Sequence, residues 1–242
     1  MRYGIFSDIH SNLEALEAIL KASQTQGIDE YLCIGDIVGY AADPAECLKI
    51  VRSTAAIIVA GNHDWVVADR YSIEYFNPYA AAAVKLTAKL LTATEKEFLA
   101  SLKLVFSNEH LTLVHGTLDR PEVFNYLFGI IEAKDSFLHL ATPLLFVGHT
   151  HVPAVYSRRK DGVEKVFNAE RVVIEPGSSY IVNIGSVGQP RDSNPQAAYC
   201  IYDTAENEIC IKRVSYDIEK ARQKIIAAGL PVLLGDRLLV GK

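Results

Sequence analysis

Short apolar runs alternate with longer stretches of helical periodicity over the first part of the chain. Residues 3–6, 31–34 and 56–59 read as strands, while apolar positions recur every three or four residues over about 13–26 and about 45–52. Leu13, Leu16, Ile19 and Leu20 share one face of the first of these helices, and Asn12 stands where an N-cap belongs. The rhythm is βαβαβ and predicts an α/β fold. An Ala-rich helical pattern covers 78–102, broken near 92–94 where a second cap can start another helix. The stretch of about 72–103 therefore reads as a helical insertion beside the rest of the fold. Apolar runs at 111–114 and 144–147, with a helix over about 132–140 between them, resume the βα alternation.

Beyond residue 151 the pattern changes. Strand-like runs at 154–157, 163–168, 172–174, 180–183, 199–203 and 208–213 are punctuated by Gly, Pro and Asn, which predicts antiparallel hairpins. A last helix, about 217–228, precedes Gly229-Leu230-Pro231 and a tail for which no element is predicted. No repeat, linker or low-complexity segment divides the chain, so one domain over 1–242, made of two packed sheets with outer helices, is expected.

Composition narrows the setting. Half of the 242 residues are hydrophobic, enough for a substantial core. Cys33, Cys47, Cys200 and Cys210 show no CxxC spacing and lie in apolar or helix-like stretches, which fits buried thiols in a reducing cytosol rather than a zinc knuckle or a disulfide framework. The start of the chain shows no basic region followed by a long apolar stretch, and no run approaches the roughly 18 apolar residues of a membrane span. A cytoplasmic protein without a membrane partner is expected. The formal net charge of −5 gives no general attraction to nucleic acid or anionic lipid, so an anionic ligand requires a local positive field. Arg158-Arg159-Lys160, at a predicted hairpin turn, reads as a solvated tip rather than a track for a nucleic-acid backbone.

Five of the apolar runs are followed at once by residues that ligate metals: Asp8 and His10, Asp36, Asn62 and His63, His115, then His149 and His151. Any one of these alone reads as a cap or a structural histidine; together, at strand ends, they read as one site. Carboxylate and amide oxygens mixed with imidazole nitrogens suit manganese, iron, cobalt or zinc, and the absence of thiolates argues against structural zinc. Glycines precede the donors in Gly35-Asp36, Gly61-Asn62-His63-Asp64 and Gly148-His149-Thr150-His151, as sharp turns after strands require. His110 and His139 lack such placement and read as ordinary polar residues.

Asp8-Ile9-His10, Gly35-Asp36, Gly61-Asn62-His63-Asp64, His115-Gly116 and Gly148-His149-Thr150-His151 follow the order of the calcineurin-like metallophosphoesterase superfamily, which the chain resembles over residues 8–151. The resemblance implies a four-layer αββα sandwich and a pair of divalent ions, one held by Asp8, His10, Asp36 and His151, the other by Asp36, Asn62, His115 and His149. It also implies that His63 faces the substrate as general acid, with Asp64 orienting it and raising its pKa. Serine/threonine phosphatases of the superfamily follow the second motif with an Asp-Arg pair; here the chain reads Asp36-Ile37-Val38-Gly39-Tyr40, which weighs against protein phosphatase activity.

Gly39-Tyr40-Ala41-Ala42-Asp43-Pro44 and the Gly-rich Asn183-Ile184-Gly185-Ser186-Val187-Gly188-Gln189-Pro190-Arg191-Asp192 resemble a branch of small prokaryotic metallophosphoesterases that includes dinucleoside tetraphosphate hydrolases. On that resemblance Arg191 is a phosphate contact, Gln189 and Tyr40 shape the pocket, and the substrate is a small phosphorylated molecule of nucleotide type. Alternatives are a broad-specificity phosphodiesterase or phosphomonoesterase, a protein phosphatase, and a protein-interaction scaffold on the same fold. Aromatic clusters at 71–76 with Tyr79, and at 124–128, read first as packing for the helical insertion and second as faces for a base.

Overall fold

Strands β1 (Arg2–Phe6), β2 (Glu30–Cys33) and β3 (Ala55–Ile58) run parallel, connected by helices α1 (Leu13–Ser23) and α2 (Pro44–Thr54), in the computed structural model of the protein, which describes residues 1–166 and 170–242. The Asn12 side chain accepts from the Ala15 amide and caps α1, as its position predicts. Helices α3 (Asn62–Val67), α4 (Pro78–Leu90) and α5 (Ala93–Ser101) follow, the last opened by a Thr92–Glu95 capping box. Then come β4 (Val105–Ser107), β5 (Leu111–Val114), α6 (Ile130–His139) and β6 (Leu144–Val147). The second half comprises β7 (Ala154–Arg159), β8 (Gly162–Val166), β9 (Arg171–Val173), β10 (Ser179–Asn183), β11 (Ala197–Asp203) and β12 (Glu208–Val214), closed by α7 (Ile218–Ala227) and α8 (Val232–Asp236).

Two six-stranded mixed sheets result, in the orders β3-β2-β1-β11-β12-β9 and β4-β5-β6-β10-β7-β8. Side chains alternate across each strand, and this sorts the apolar residues into layers. Tyr3 and Ile5 of β1 and Cys200 and Tyr202 of β11 meet Leu144 and Phe146 of β6 between the sheets. On the outer face of the first sheet, Phe6, Tyr199 and Ile201 pack on Leu16 and Ile19 of α1 and Leu48 and Val51 of α2. Outside the second sheet, Leu145, Val147, Tyr156 and Ile181 receive Ala133 and Phe137 of α6. The order of layers is αββα, as expected. The C-terminal helices α7 and α8 pack through Ala221, Ile225 and Leu234 against Ala80 and Ala83 of α4 and against Tyr40.

Several details depart from the sequence reading. The strands after residue 151 do not form one run of hairpins: β7, β8 and β10 join the second sheet, whereas β9, β11 and β12 complete the first. The strand expected over 163–168 occupies Gly162–Val166, and its last expected residues lie outside the described ones. Edge strand β4 carries no alternation long enough to predict it. All four cysteines are free, three buried and Cys210 half-buried. Among the described residues no helix is long and apolar enough to cross a membrane.

Candidate functional site

The loops leaving β1, β2 and β3 in the first sheet and β5 and β6 in the second meet at one edge of the sandwich. The donors expected at strand ends around one site are thus contributed by both sheets. Asp8 is fully buried, and its carboxylate lies 3.1 Å from His151 Nε2 and 3.7 Å from His10 Nε2. Asp36 Oδ2 lies 3.6 Å from His10 Nε2 and 3.2 Å from His115 Nε2. Three groups of donor atoms come within 4.8 Å of one another: Asp8, His10 and His151; Asp36, His115 and His149; and His10, Asp36 and His63. Asp36 is common to the second and third of these groups, and His10 to the first and third.

The loops hold these donors in strained backbone. Asp8, His10, Asp36, His149 and His151 all take left-handed conformations, with φ between 49° and 68°, at roughly 1–3 kcal/mol each. Backbone hydrogen bonds compensate: Asp8 N and His10 N donate to the Gly35 and Asp36 carbonyls, and Gly188 N donates to Asp8 O at 2.9 Å. Asn183 Nδ2 donates to Gly148 O at 2.7 Å and Ser186 Oγ to Asp8 O at 2.9 Å, so the Gly-rich loop also braces the first and last motifs. Sequence reasoning did not single out Asn183 and Ser186 in this bracing role; their signal was a buried amide and hydroxyl at the end of an apolar strand. Gly61 is required by contact: a Cβ there would overlap the Asp36 carboxylate and amide.

The lone pairs of this cluster decide whether it suits cations. His10 Nδ1 faces Val38 O at 3.1 Å, His115 Nδ1 faces Ile34 O at 2.7 Å, and His151 Nδ1 faces Gln189 O at 2.6 Å. A carbonyl accepts only, so each Nδ1 carries the proton and each Nε2 turns a lone pair inward. Asn62 Oδ1 and His115 Nε2 are buried without a hydrogen-bond partner. Converging acceptors of nitrogen and oxygen, without thiolates, fit borderline divalent ions. Burial and the neighbouring His115 charge push His149 down to about 3, whereas the Asp36 and Asp8 carboxylates outweigh burial at His115 and lift it to about 10, so without a cation a proton on His115 Nε2 takes the place that a divalent ion would fill between it and the carboxylates.

His63 stands beside the donors, its ring 4.7 Å from His10 and 4.6 Å from both Tyr40 and Phe76, with its backbone amide on Asp36 Oδ1 at 2.8 Å. Asp64 does not orient it, contrary to the expectation. The Asp64 carboxylate is saturated by backbone amides of Ile37, Val38 and Gly61, at 2.9, 3.3 and 3.0 Å, while His63 Nδ1 is buried without a partner. The physical reason is local. Asp64 is the third residue of α3 and closes a capping box on Gly61, so it serves the loop rather than the imidazole. Nor is His63 raised: burial, helped by Arg191, pushes it down to about 4 against the pull of Asp36.

A cleft of about 530 Å³ opens above this floor. Asp36, Asn62, His63, His149 and His151 line its base, and Tyr40 and Arg191 one side. The Arg191 guanidinium lies 5.5 Å over the Tyr40 ring and donates to Gln189 Oε1 at 2.8 and 3.3 Å. Gln189 is buried and holds Arg191 rather than lining the cleft. The rest of the lining is largely aromatic, contributed by Tyr71, Tyr75 and Phe76 and by Phe124 and Tyr126. Both clusters reach the site, beyond the packing role given first to them; Tyr79 does not line the cleft. His110 and His139 are exposed and remote from the donors. Arg159 of the basic tip pairs with Glu164 and Glu175.

Comparison with known proteins agrees with this architecture. MJ0912 of Methanocaldococcus jannaschii is 39% identical over 242 residues, covering 98% of this chain and 97% of that protein. The crystal structure of a metallophosphoesterase from Sphaerobacter thermophilus is 38% identical and superposes with a TM-score of 0.87, covering 100% of this chain and 99% of that one. A hypothetical protein of Pyrococcus horikoshii, PH1004, shares the fold at 19% identity, with a TM-score of 0.80 over 100% of this chain and 98% of that one. The profile of the calcineurin-like phosphoesterase superfamily domain matches residues 1–207, and the chain belongs to that superfamily.

Proposed function

We propose that this metal-dependent phosphoesterase hydrolyses a small nucleotide at a pair of divalent cations, with a dinucleoside tetraphosphate as the type of substrate. The observation that carries the reading is the cleft itself, in which converging acceptors share the lining with one guanidinium and a run of aromatic rings. Asp8, His10, Asp36 and His151 would hold one ion and Asp36, Asn62, His115 and His149 the other. Ions bound there would supply Lewis acidity toward a phosphoryl oxygen and a water acidic enough to ionise near neutral pH. The remaining work falls to side chains of this protein. Arg191, pre-aimed by Gln189 and Tyr40, grips a phosphoryl oxygen, and its planar fork suits that better than an ammonium. The charge of a bound phosphate counters the burial that holds His63 down to about 4, and the imidazolium, with Nδ1 unengaged, hands a proton to the departing oxygen. Tyr40 closes the space beside His10 and His63.

The test is chromatographic. Manganese-loaded protein is incubated with diadenosine tetraphosphate and with aryl phosphate mono- and diesters, and every product is identified. ATP plus AMP, or two ADP, formed much faster than the aryl esters are cleaved supports the reading and identifies the bond attacked. Turnover of the aryl esters alone would leave a broad-specificity phosphoesterase.

A further inference from the structure

The aromatic wall is not uniform, and one ring in it is unaccounted for. Phe76 lies against His63 at 4.6 Å. Phe124 meets Trp65, Tyr71 and His115 edge-on. Tyr126 stacks on His149 at 4.0 Å and on Phe128 at 5.0 Å. Tyr71 is fixed by its hydroxyl, which donates to Val123 O at 3.0 Å and so ties the two halves of the wall together. Among the rings of the described residues Tyr75 pairs with Tyr71 alone, stacked at 5.1 Å and 28°, and it is 74% exposed although it lines the cleft. A large aromatic surface left open next to a polar floor is a place for another planar ring. Asn77, Glu122 and Asn125 also line the cleft and bring polar side chains to it.

We infer that Tyr75, braced by Tyr71, is a stacking subsite for one nucleobase, and that this base belongs to the leaving-group arm of the substrate. The assignment of the arm rests on the function proposed above, in which His63 protonates the departing oxygen: Phe76, next to Tyr75 in sequence, is the wall residue that touches His63. A cleft of about 530 Å³ encloses a single molecule of ordinary ligand size, so recognition is confined to one nucleoside arm and the other end of a dinucleotide stays outside.

Calorimetric titration of the full-length protein with AMP and, as the control without a base, ribose 5-phosphate tests the subsite without depending on turnover. Base stacking on an aromatic side chain is worth roughly 1–3 kcal/mol, so AMP should bind about 5- to 150-fold more tightly than ribose 5-phosphate. Tyr75→Ala should abolish that preference and Tyr75→Phe should keep it, with ribose 5-phosphate unaffected by either. Equal affinity of the wild type for both ligands, or a preference that survives Tyr75→Ala, overturns the subsite. Steady-state kinetics on diadenosine tetraphosphate separates this from the activity: Tyr75→Ala should raise KM with little change in kcat. A wild type that prefers AMP in binding but does not hydrolyse the dinucleotide would refute the proposed substrate while the stacking subsite stands.

Discussion

His10 Nε2 and His151 Nε2 face each other at 3.1 Å across the floor of the cleft, each with its Nδ1 committed to a backbone carbonyl. Two imidazole lone pairs at that separation repel unless a positive charge lies between or beside them. Divalent ions should therefore stabilise the fold strongly. At about one hundred times the dissociation constant the gain is roughly 2.7 kcal/mol, and a chain of this size gains about 2–4 °C in Tm per kcal/mol. Manganese against EDTA should raise Tm by about 5–10 °C in scanning calorimetry; identical melting curves would contradict the cation reading.

Asp36 and His10 each stand in two of the donor groups, and the Asp36 carboxylate faces both His10 Nε2 at 3.6 Å and His115 Nε2 at 3.2 Å. Asp36→Asn should lower the content of both metals, while Asn62→Ala should weaken mainly the ion that His115 and His149 share. Elemental analysis of the dialysed, reloaded variants reads this directly. Retention of both ions by Asp36→Asn would remove the bridge.

His63 is beside the donors with Nδ1 unengaged. His63→Ala should keep the metal content and lower turnover by roughly 10²–10⁴-fold, the range for loss of a general acid. Asp64→Asn, by contrast, disturbs the backbone amides of Ile37, Val38 and Gly61 and should act through stability and metal affinity. If Asp64→Asn shifts only turnover, the capping role assigned to it is wrong.

Arg191 is held by Gln189 and lies over Tyr40. Arg191→Ala should raise KM by about 10–100-fold, and Arg191→Lys should recover little, because an ammonium reproduces neither the fork nor the stack. Full recovery by lysine, measured as kcat/KM, would show that charge alone suffices.

Glu14 links the C-terminal helix to α1. Its carboxylate is buried, 2.7 Å from Lys224 and 3.1 Å from Lys220, and these partners pull its pKa down against burial. A carboxylate depressed in the folded state adds stability that is present above its unfolded pKa of about 4.3 and is lost as pH falls through the lower folded value. Glu14→Gln should then cost about 1–3 kcal/mol at pH 7. In urea titrations the gap between variant and wild type should close below about pH 4; a constant gap at all pH values would show packing rather than charge.

Much of this arrangement is legible in the chain. The parallel strands, the Asn12 and Thr92 caps and the donors at strand ends follow from periodicity and turn chemistry, because each is a local signal. What was not legible is non-local. No pattern in 154–213 says which strands cross to which sheet, since pairing partners are chosen by contacts far along the chain. Asp64 was read by its adjacency to His63, yet successive residues on a helix point in different directions, and the carboxylate turned back to the loop. The aromatic wall depends on Tyr71 reaching Val123, a contact between segments fifty-two residues apart.

The left-handed donors have a consequence for the history open to such a chain. Each of them is a residue that its own backbone angle disfavours and that glycine would relieve. Apart from its ligand, the site is a standing liability to the fold, and His149→Gly would relieve the backbone of the metal-free protein while ending its chemistry, whereas Asp36→Gly would also strip the His63 amide and the His115 imidazole of their partner. Activity here is maintained against backbone strain: a copy released from selection for turnover can shed a strained histidine such as His149 and keep the carboxylates of Asp8 and Asp36 that accept from the loop amides.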